Sequence, residues 1–147
     1  MAELPRASAI VKSVPLAVRF ADAVALDYDE RRRRRVVVTA KGGLRFLVDL
    51  AEVPDLKAGD AYRLEDGRHV LIEAAPEALM ELTCADPTHL ARLAWHIGNR
   101  HLPAEIHPQA IRIRADHVIA EMARGLGAAV RRLDAPFEPE KGAYHAH

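Results

Sequence analysis

The sequence predicts an α+β protein: a small all-β domain, then a ferredoxin-like βαββαβ domain, then a mobile histidine-bearing tail. Three observations carry this expectation. Residues 8 to about 75 hold short β-branched or alternating segments separated by turn signals, with no helical stretch of useful length. Beyond Pro76 the periodicity changes, and two amphipathic helical stretches alternate with short strands. From Pro136 the composition loosens into Pro, Gly, Ala and His, the make-up of a mobile terminus. The expected divisions are 1–76, 77–136 and 137–147.

In the first half the predicted strands are Ala9 to Val11, Ala17 to Phe20, Arg35 to Thr39, Leu44 to Leu50 and His69 to Glu73. Gly42-Gly43 suits a hairpin between the third and fourth, and Ala58-Gly59-Asp60 and Glu65-Asp66-Gly67 punctuate the stretch from there to the last strand. A small barrel or sandwich accommodates such a set. The run Arg31 to Arg35 is read as strand, which sends alternate arginines to opposite faces and dilutes any phosphate-binding patch. Asp27, Asp29 and Glu30 stand directly before it. A charged rim that guards a sheet edge, or docks an acidic partner protein, suits the run better than nucleic acid does.

In the second half Leu79 to Cys84 reads as a strand. Asp86 is a good N-cap and Pro87 suits the first helical position, where its missing amide costs nothing. Leu90, Leu93, Ala94 and Ile97 then form one apolar stripe, and Pro103 ends the helix at about His101. Glu105 to His107 and Ile111 to Arg114 are two strands turned at Pro108. Asp116 caps a second helix with Val118, Ile119, Met122 and Leu126 inward, ending near Gly125 or Gly127. Ala128 to Leu133 supplies the last strand.

Lys plus Arg equals Asp plus Glu at 21 each, which gives no general affinity for nucleic acid or membrane. The lone Cys84 precludes an intrachain disulfide framework, and no apolar run is long enough to span a bilayer. The first residues lack the apolar core of a secretory signal, so a cytoplasmic location is expected. Neither a G-x-S-x-G elbow, a phosphate-cradling loop nor a nucleotide fingerprint occurs, and nothing reads as catalytic.

The densest set of capable side chains is Trp95-His96-Ile97-Gly98-Asn99-Arg100-His101-Leu102-Pro103. Continued helical spacing returns His101, four beyond Ile97, to the apolar stripe, while His89 and His96 share a flank away from it. His96 and His101 point about 140° apart and cannot chelate one ion while both are helical. One reading of His101 is a helix-terminal histidine interacting with free carbonyls. The other is an interface residue, which a two-fold symmetric dimer would bring close to its own copy. In the tail His145 and His147, two apart, project from the same side of an extended chain and can both reach one ion. They lack the form of an affinity tag.

The segment His89 to Pro103, and above all Gly98-Asn99-Arg100-His101, resembles the central motif of UreE, the nickel metallochaperone family of urease maturation. Chain length, a β-rich first half and a histidine-bearing C-terminus extend the resemblance over the whole chain. It implies a non-enzymatic, cytoplasmic protein that holds Ni2+ and delivers it to apo-urease with the GTPase UreG and the maturation complex. Combined with the geometry, two copies of His101 at a homodimer interface would form the site, and His145 and His147 would complete it. Zn2+ and Cu2+ suit the same imidazoles. One arrangement in the family uses a His-Asp-His pattern just before the second helix. Here His117 is a secondary ligand candidate, but Ala115 stands where the first histidine would be. The rival from another class is a metal-independent docking module of a maturation complex. A metallohydrolase ranks third, since no carboxylate in the motif stands where a general base would.

Overall fold

A computed structural model describes residues 3–141 and divides into two compact units between Ala75 and Pro76. The first unit holds β1 (Arg6–Val11), β2 (Asp22–Leu26), a one-turn helix α1 (Tyr28–Arg31), β3 (Arg35–Thr39), β4 (Arg45–Asp49), β5 (Ala61–Leu64) and β6 (His69–Ala74). The strands form one barrel-like sheet in the order β2-β6-β5-β1-β4-β3. The hairpin at Gly42-Gly43 is present: β3 and β4 pair antiparallel from Arg35↔Asp49 to Thr39↔Arg45, and Gly43 supplies the positive φ of 98° that such a turn needs.

Three expectations for this unit are corrected. Ala17 to Phe20 is not a strand; after β1 the chain rejoins the sheet at Asp22, where β2 runs parallel to β6. The Asp22 carboxylate accepts the amides of Ala23, Gly42 and Leu44, fixing that entry to the β3–β4 turn. The arginine run is not a strand either: Arg31 ends α1, and only Arg35 belongs to β3. Asp27 and Glu30, read as charges preceding a basic strand, form a reciprocal capping box that starts α1.

The core of this unit is aliphatic around one aromatic pair. Phe46 and Tyr62 are both fully buried and meet edge to face, with ring centroids 5.6 Å apart. The Tyr62 hydroxyl has no hydrogen-bond partner among the described residues. Burial first, and Glu30 second, push its pKa up to about 12. An unfolded tyrosine ionises near pH 10, so the stabilisation carried by the neutral ring is complete below that pH and is lost as pH rises from about 10 to 12. Tyr62→Phe should therefore raise stability at neutral pH by about 1 kcal/mol, since it removes a buried hydroxyl that nothing satisfies. It should also flatten the alkaline limb of the stability profile, as urea unfolding across pH would read. A variant less stable than the parent would mean that the hydroxyl has a partner.

The second unit follows the βαββαβ order: β7 (Pro76–Thr83), α2 (Pro87–Asn99), β8 (Glu105–Ile106), β9 (Ala110–Arg114), α3 (His117–Gly125) and β10 (Ala129–Pro136). Its antiparallel sheet has the order β10-β7-β9-β8, the ferredoxin-like arrangement. Met80 and Leu82 of β7 and Ile111 and Ile113 of β9 pack with Leu93 and Ile97 of α2 and Ile119, Ala120 and Ala123 of α3. The α2 stripe is thus the one expected, with Leu90 and Ala94 at its margin. In α3 the facing is corrected: Val118 is 56 % exposed, Leu126 at the C-cap is exposed too, and the small Ala120 and Ala123 join Ile119 in the buried cluster.

The segment expected to be mobile from residue 137 is anchored in its first part. Phe137 is fully buried with the Arg114 guanidinium over its ring, and the amides of Glu138 and Glu140 are both hydrogen-bonded.

Candidate functional site

Helix α2 starts as its sequence dictates. The Asp86 side chain accepts the His89 amide at 2.8 Å, and Pro87 occupies the first turn. It ends on a motif that places His101. Arg100 is the C-cap, the His101 amide donates to the Gly98 carbonyl at 3.0 Å, and the Leu102 amide donates to the Ile97 carbonyl at 3.3 Å. These two bonds are the Schellman closure, and they require a left-handed residue between cap and exit. That residue is His101, with φ +58°. Leu102 then turns inward against the apolar cluster, and Pro103 prevents the helix from resuming.

Helix α3 ends in the same way, with one difference. Gly127 donates to the Arg124 carbonyl at 2.9 Å and Ala128 to the Ala123 carbonyl at 3.0 Å, with Gly127 at φ +89°. Glycine occupies the left-handed position there, where a side chain carries a steric cost. At the end of α2 the chain bears that cost at a histidine. His101 is consequently exposed, and the helical extrapolation that laid it on the apolar stripe is corrected: the helix has ended by Asn99 and the backbone reverses its twist before the imidazole.

The other described histidines are spread out. His89 Nε2 meets the Leu126 carbonyl and lies against Gly127, so this ring latches the start of α2 to the end of α3. His96 packs edge to face on Trp95 at 5.1 Å, and Trp95 is 64 % exposed. His107 Nε2 lies 2.8 Å from Glu105 Oε1. His117 opens α3 exposed, beside an Asp116 whose carboxylate already accepts the Val118 and Ile119 amides. His145 and His147 lie outside the described residues.

Among the described residues of one chain no three His, Cys, Asp or Glu side chains are grouped to hold a metal ion. Burial, and then the nearby Asp86, push the Cys84 thiol above its ordinary range, so it lacks the character of an activated nucleophile. What sequence reasoning missed is the pair of long-range contacts within the chain, His89 to the Leu126 carbonyl and the Glu138 amide to Glu105. Both depend on tertiary approach and leave no local signal.

Beside the α2 exit runs a shallow groove lined by Ala94, Gly98, Leu102, Pro103, Ile106 and Lys141. Ile106 there is 52 % exposed.

These features define a two-domain protein, a barrel-like β-unit followed by a ferredoxin-like unit that displays one strained, exposed histidine. Models of the UreE urease accessory protein match both parts, the N-terminal domain over residues 9–75 and the C-terminal domain over 77–147. The chain belongs to the UreE urease accessory protein family. It is 56 % identical to the urease accessory protein UreE of Rhodopseudomonas palustris (strain HaA2) over 124 residues, covering 84 % of this chain and 58 % of that protein. It is 54 % identical to that of Bradyrhizobium sp. (strain ORS 278) over 131 residues, 86 % of this chain and 62 % of the relative. For Chelativorans sp. (strain BNC1) the identity is 52 % over 126 residues, 86 % of this chain and 80 % of the relative. The chain thus spans about three-fifths of the length of the first two curated relatives.

Proposed function

We propose that this chain is a non-catalytic metallochaperone of urease maturation that binds Ni2+ at a homodimer interface and hands it on for assembly of the urease active site. The observation that carries the reading is His101, an exposed imidazole at a left-handed position that the equivalent turn of α3 gives to Gly127. A strained non-glycine residue points to a role for its side chain. One imidazole is a poor metal site, whereas two facing copies in an isologous dimer are a useful one. The exposed Trp95 and Ile106 are apolar surface that such a dimer would cover.

In this reading the ferredoxin-like domain dimerises and binds metal, and the β-domain meets partners, the GTPase UreG and the urease apoprotein complex. His145 and His147 complete the coordination, and His117 is at most a peripheral ligand. Imidazole ligands take Ni2+, Zn2+ and Cu2+, and the divalent series favours Cu2+, so selection of nickel falls to partners and supply. A shell drawn partly from a terminal segment can lose ligands one at a time to an acceptor, which suits delivery. The proposed location is the cytoplasm. Among the described residues no helix is long and apolar enough to cross a membrane.

The test is a calorimetric Ni2+ titration of the purified dimer, beside a chain ended after Tyr144, at several pH values. Imidazole coordinates as the neutral ring, so binding should weaken as pH falls through about 6 to 7. Truncation should weaken it without abolishing it. A dimer that held Ni2+ equally well near pH 5 would not be using an imidazole shell.

A further inference from the structure

Among the described residues β2 and β3 are the two unpaired edges of the β-domain sheet, and hydrogen bonds join them at one end alone. There the Lys41 amide donates to the Ala23 carbonyl at 2.9 Å, and the Asp22 carboxylate accepts the Gly42 and Leu44 amides. Beyond that end a cleft of about 270 Å3 separates the edges, lined by Ala25, Leu26, Glu30, Arg33, Val37 and Thr39. Even-numbered residues of β3 bond to β4, as the Arg34 carbonyl and the Ala40 amide show, so the amide and carbonyl of Val37 point away from that ladder. In β2 the Ala23 carbonyl points to β3, and Ala25, two residues on, points the same way. The backbone groups that Ala25 and Val37 turn to the cleft have no hydrogen-bond partner among the described residues. Val37 is 46 % exposed, and no proline, bulge or charge guards the edge from Val36 to Val38. The arginine run adds a charge. Arg32 lies on Tyr28, Arg34 donates to the Leu50 and Ala51 carbonyls, and Arg35 pairs with Asp49. Arg33 lines the cleft, is exposed, and has a guanidinium without a partner among the described residues.

We propose that this seam is a strand-addition site: an extended acidic segment of a partner protein pairs its backbone with β3 at Val37 and sets a carboxylate on Arg33. Strand addition draws its affinity from main-chain hydrogen bonds, which the outward amide and carbonyl of Val37 supply, and its specificity from the side chains that flank the edge. The flanking charge selects an acidic segment. Glu30, the one acid lining the cleft, already accepts the Asp27 amide in the capping box of α1, whereas Arg33 is unengaged. The added strand alternates, so every second side chain lies on the outer face beside the exposed Val37, where an apolar residue is favoured. The seam is closed at Ala23 and Lys41, so the segment enters from the end where Leu26 and Arg33 stand. This inference rests on the reading of the β-domain as the unit that meets partners and does not involve the metal.

The test titrates the full chain with two capped six-residue peptides, one alternating aspartate and valine and the other lysine and valine, while amide exchange is read at Val37. The acidic peptide should bind and slow exchange at Val37, and the basic one should do neither. Arg33→Glu replaces an attraction by a repulsion at an exposed position, and should weaken the acidic peptide about tenfold. Val37→Pro removes the outward donor and leaves the bonds from β3 to β4 in place, because proline is tolerated where its missing amide faces away from the ladder. It should weaken the acidic peptide about fivefold, the loss of one hydrogen bond, with the β4 amides still protected. Failure of the acidic peptide to bind at millimolar concentration would overturn the proposal. So would binding without protection of Val37, or equal binding of the basic peptide. The purified urease apoprotein complex separates the two readings. If the parent chain did not bind it while the acidic peptide still protected Val37, the partner reading would fall and the seam would stand. If Arg33→Glu and Val37→Pro both bound the complex as the parent does, the seam would be overturned and the partner reading would stand.

Discussion

If the proposed dimer site is right, His101→Ala should lower the affinity for Ni2+ by about 100-fold or more and leave the fold intact. In the proposed two-fold dimer one substitution would remove two imidazoles from a shared ion. Loss of a group that merely orients a ligand weakens metal binding about 10- to 100-fold, so loss of the ligands themselves should lie at or beyond the upper end of that range. The fold survives because the imidazole is exposed and the Schellman bonds at the α2 exit use the backbone of residues 97, 98, 101 and 102. A sharper form of the experiment uses His101→Gly. It is expected to be as blind to metal as the alanine variant and more stable than the parent by about 0.5–1 kcal/mol. Glycine relieves the strain of φ +58°, although its freer unfolded chain offsets part of the gain. Calorimetric titration reads the first effect, with the mass of each species showing that the dimer persists, and thermal unfolding reads the second. Opposite changes in stability and binding from one substitution are the mark of a residue kept for its chemistry. Unchanged Ni2+ binding would remove the centre of the mechanism and leave a docking module. A destabilised glycine variant would show that the imidazole serves the fold instead.

The sequence was most legible where structure is set locally. Asp86-Pro87 and Asp116 announce the two helix starts because an N-cap is a contact within one turn, and both caps form. The βαββαβ order followed from those helices and from Pro76. His101 stood out in the sequence as a candidate, while its placement was not legible. Spacing of 100° per residue holds only while the helix continues, and Pro103 marks the stop without stating that the intervening residue turns left-handed. The β-domain was harder for a physical reason. β2 owes its existence to parallel pairing with β6, more than forty positions away, and Asp22-Ala23-Val24-Ala25-Leu26 carries little intrinsic strand signal. Ala17 to Phe20 has the better alternation and no partner strand, and Leu16 just before it is fully exposed. Charge misled at Arg31. Five successive arginines read as surface, and only the capping box in Asp27-Tyr28-Asp29-Glu30 hinted that the first of them closes a helical turn.

Arg31 carries the other large expected effect. Its side chain is among the most deeply buried in the chain, with the residue 2 % exposed. Nη1 donates to the Leu26 carbonyl at 2.8 Å and Nε to the Leu56 carbonyl at 3.2 Å. Leu26 and Leu56 are both core residues, so the guanidinium ties the end of β2 to the loop before β5 from inside. Arg31→Ala should cost about 3 kcal/mol. It withdraws donors from two carbonyls and leaves a void of guanidinium size, and each unsatisfied buried acceptor alone costs about 1–3 kcal/mol. Arg31→Lys should recover little, because an ammonium on a flexible stem cannot reproduce the planar fork that serves both carbonyls. The adjacent Arg32 is the internal control. It is exposed and lies over the Tyr28 ring with its Nη1 on the Tyr28 hydroxyl, so Arg32→Ala should stay within about 0.5 kcal/mol of the parent. Urea unfolding of the full chain reads all three variants. An Arg31→Ala protein as stable as Arg32→Ala would mean that the two carbonyls find other donors, and that this arginine belongs to the surface run its sequence context suggests.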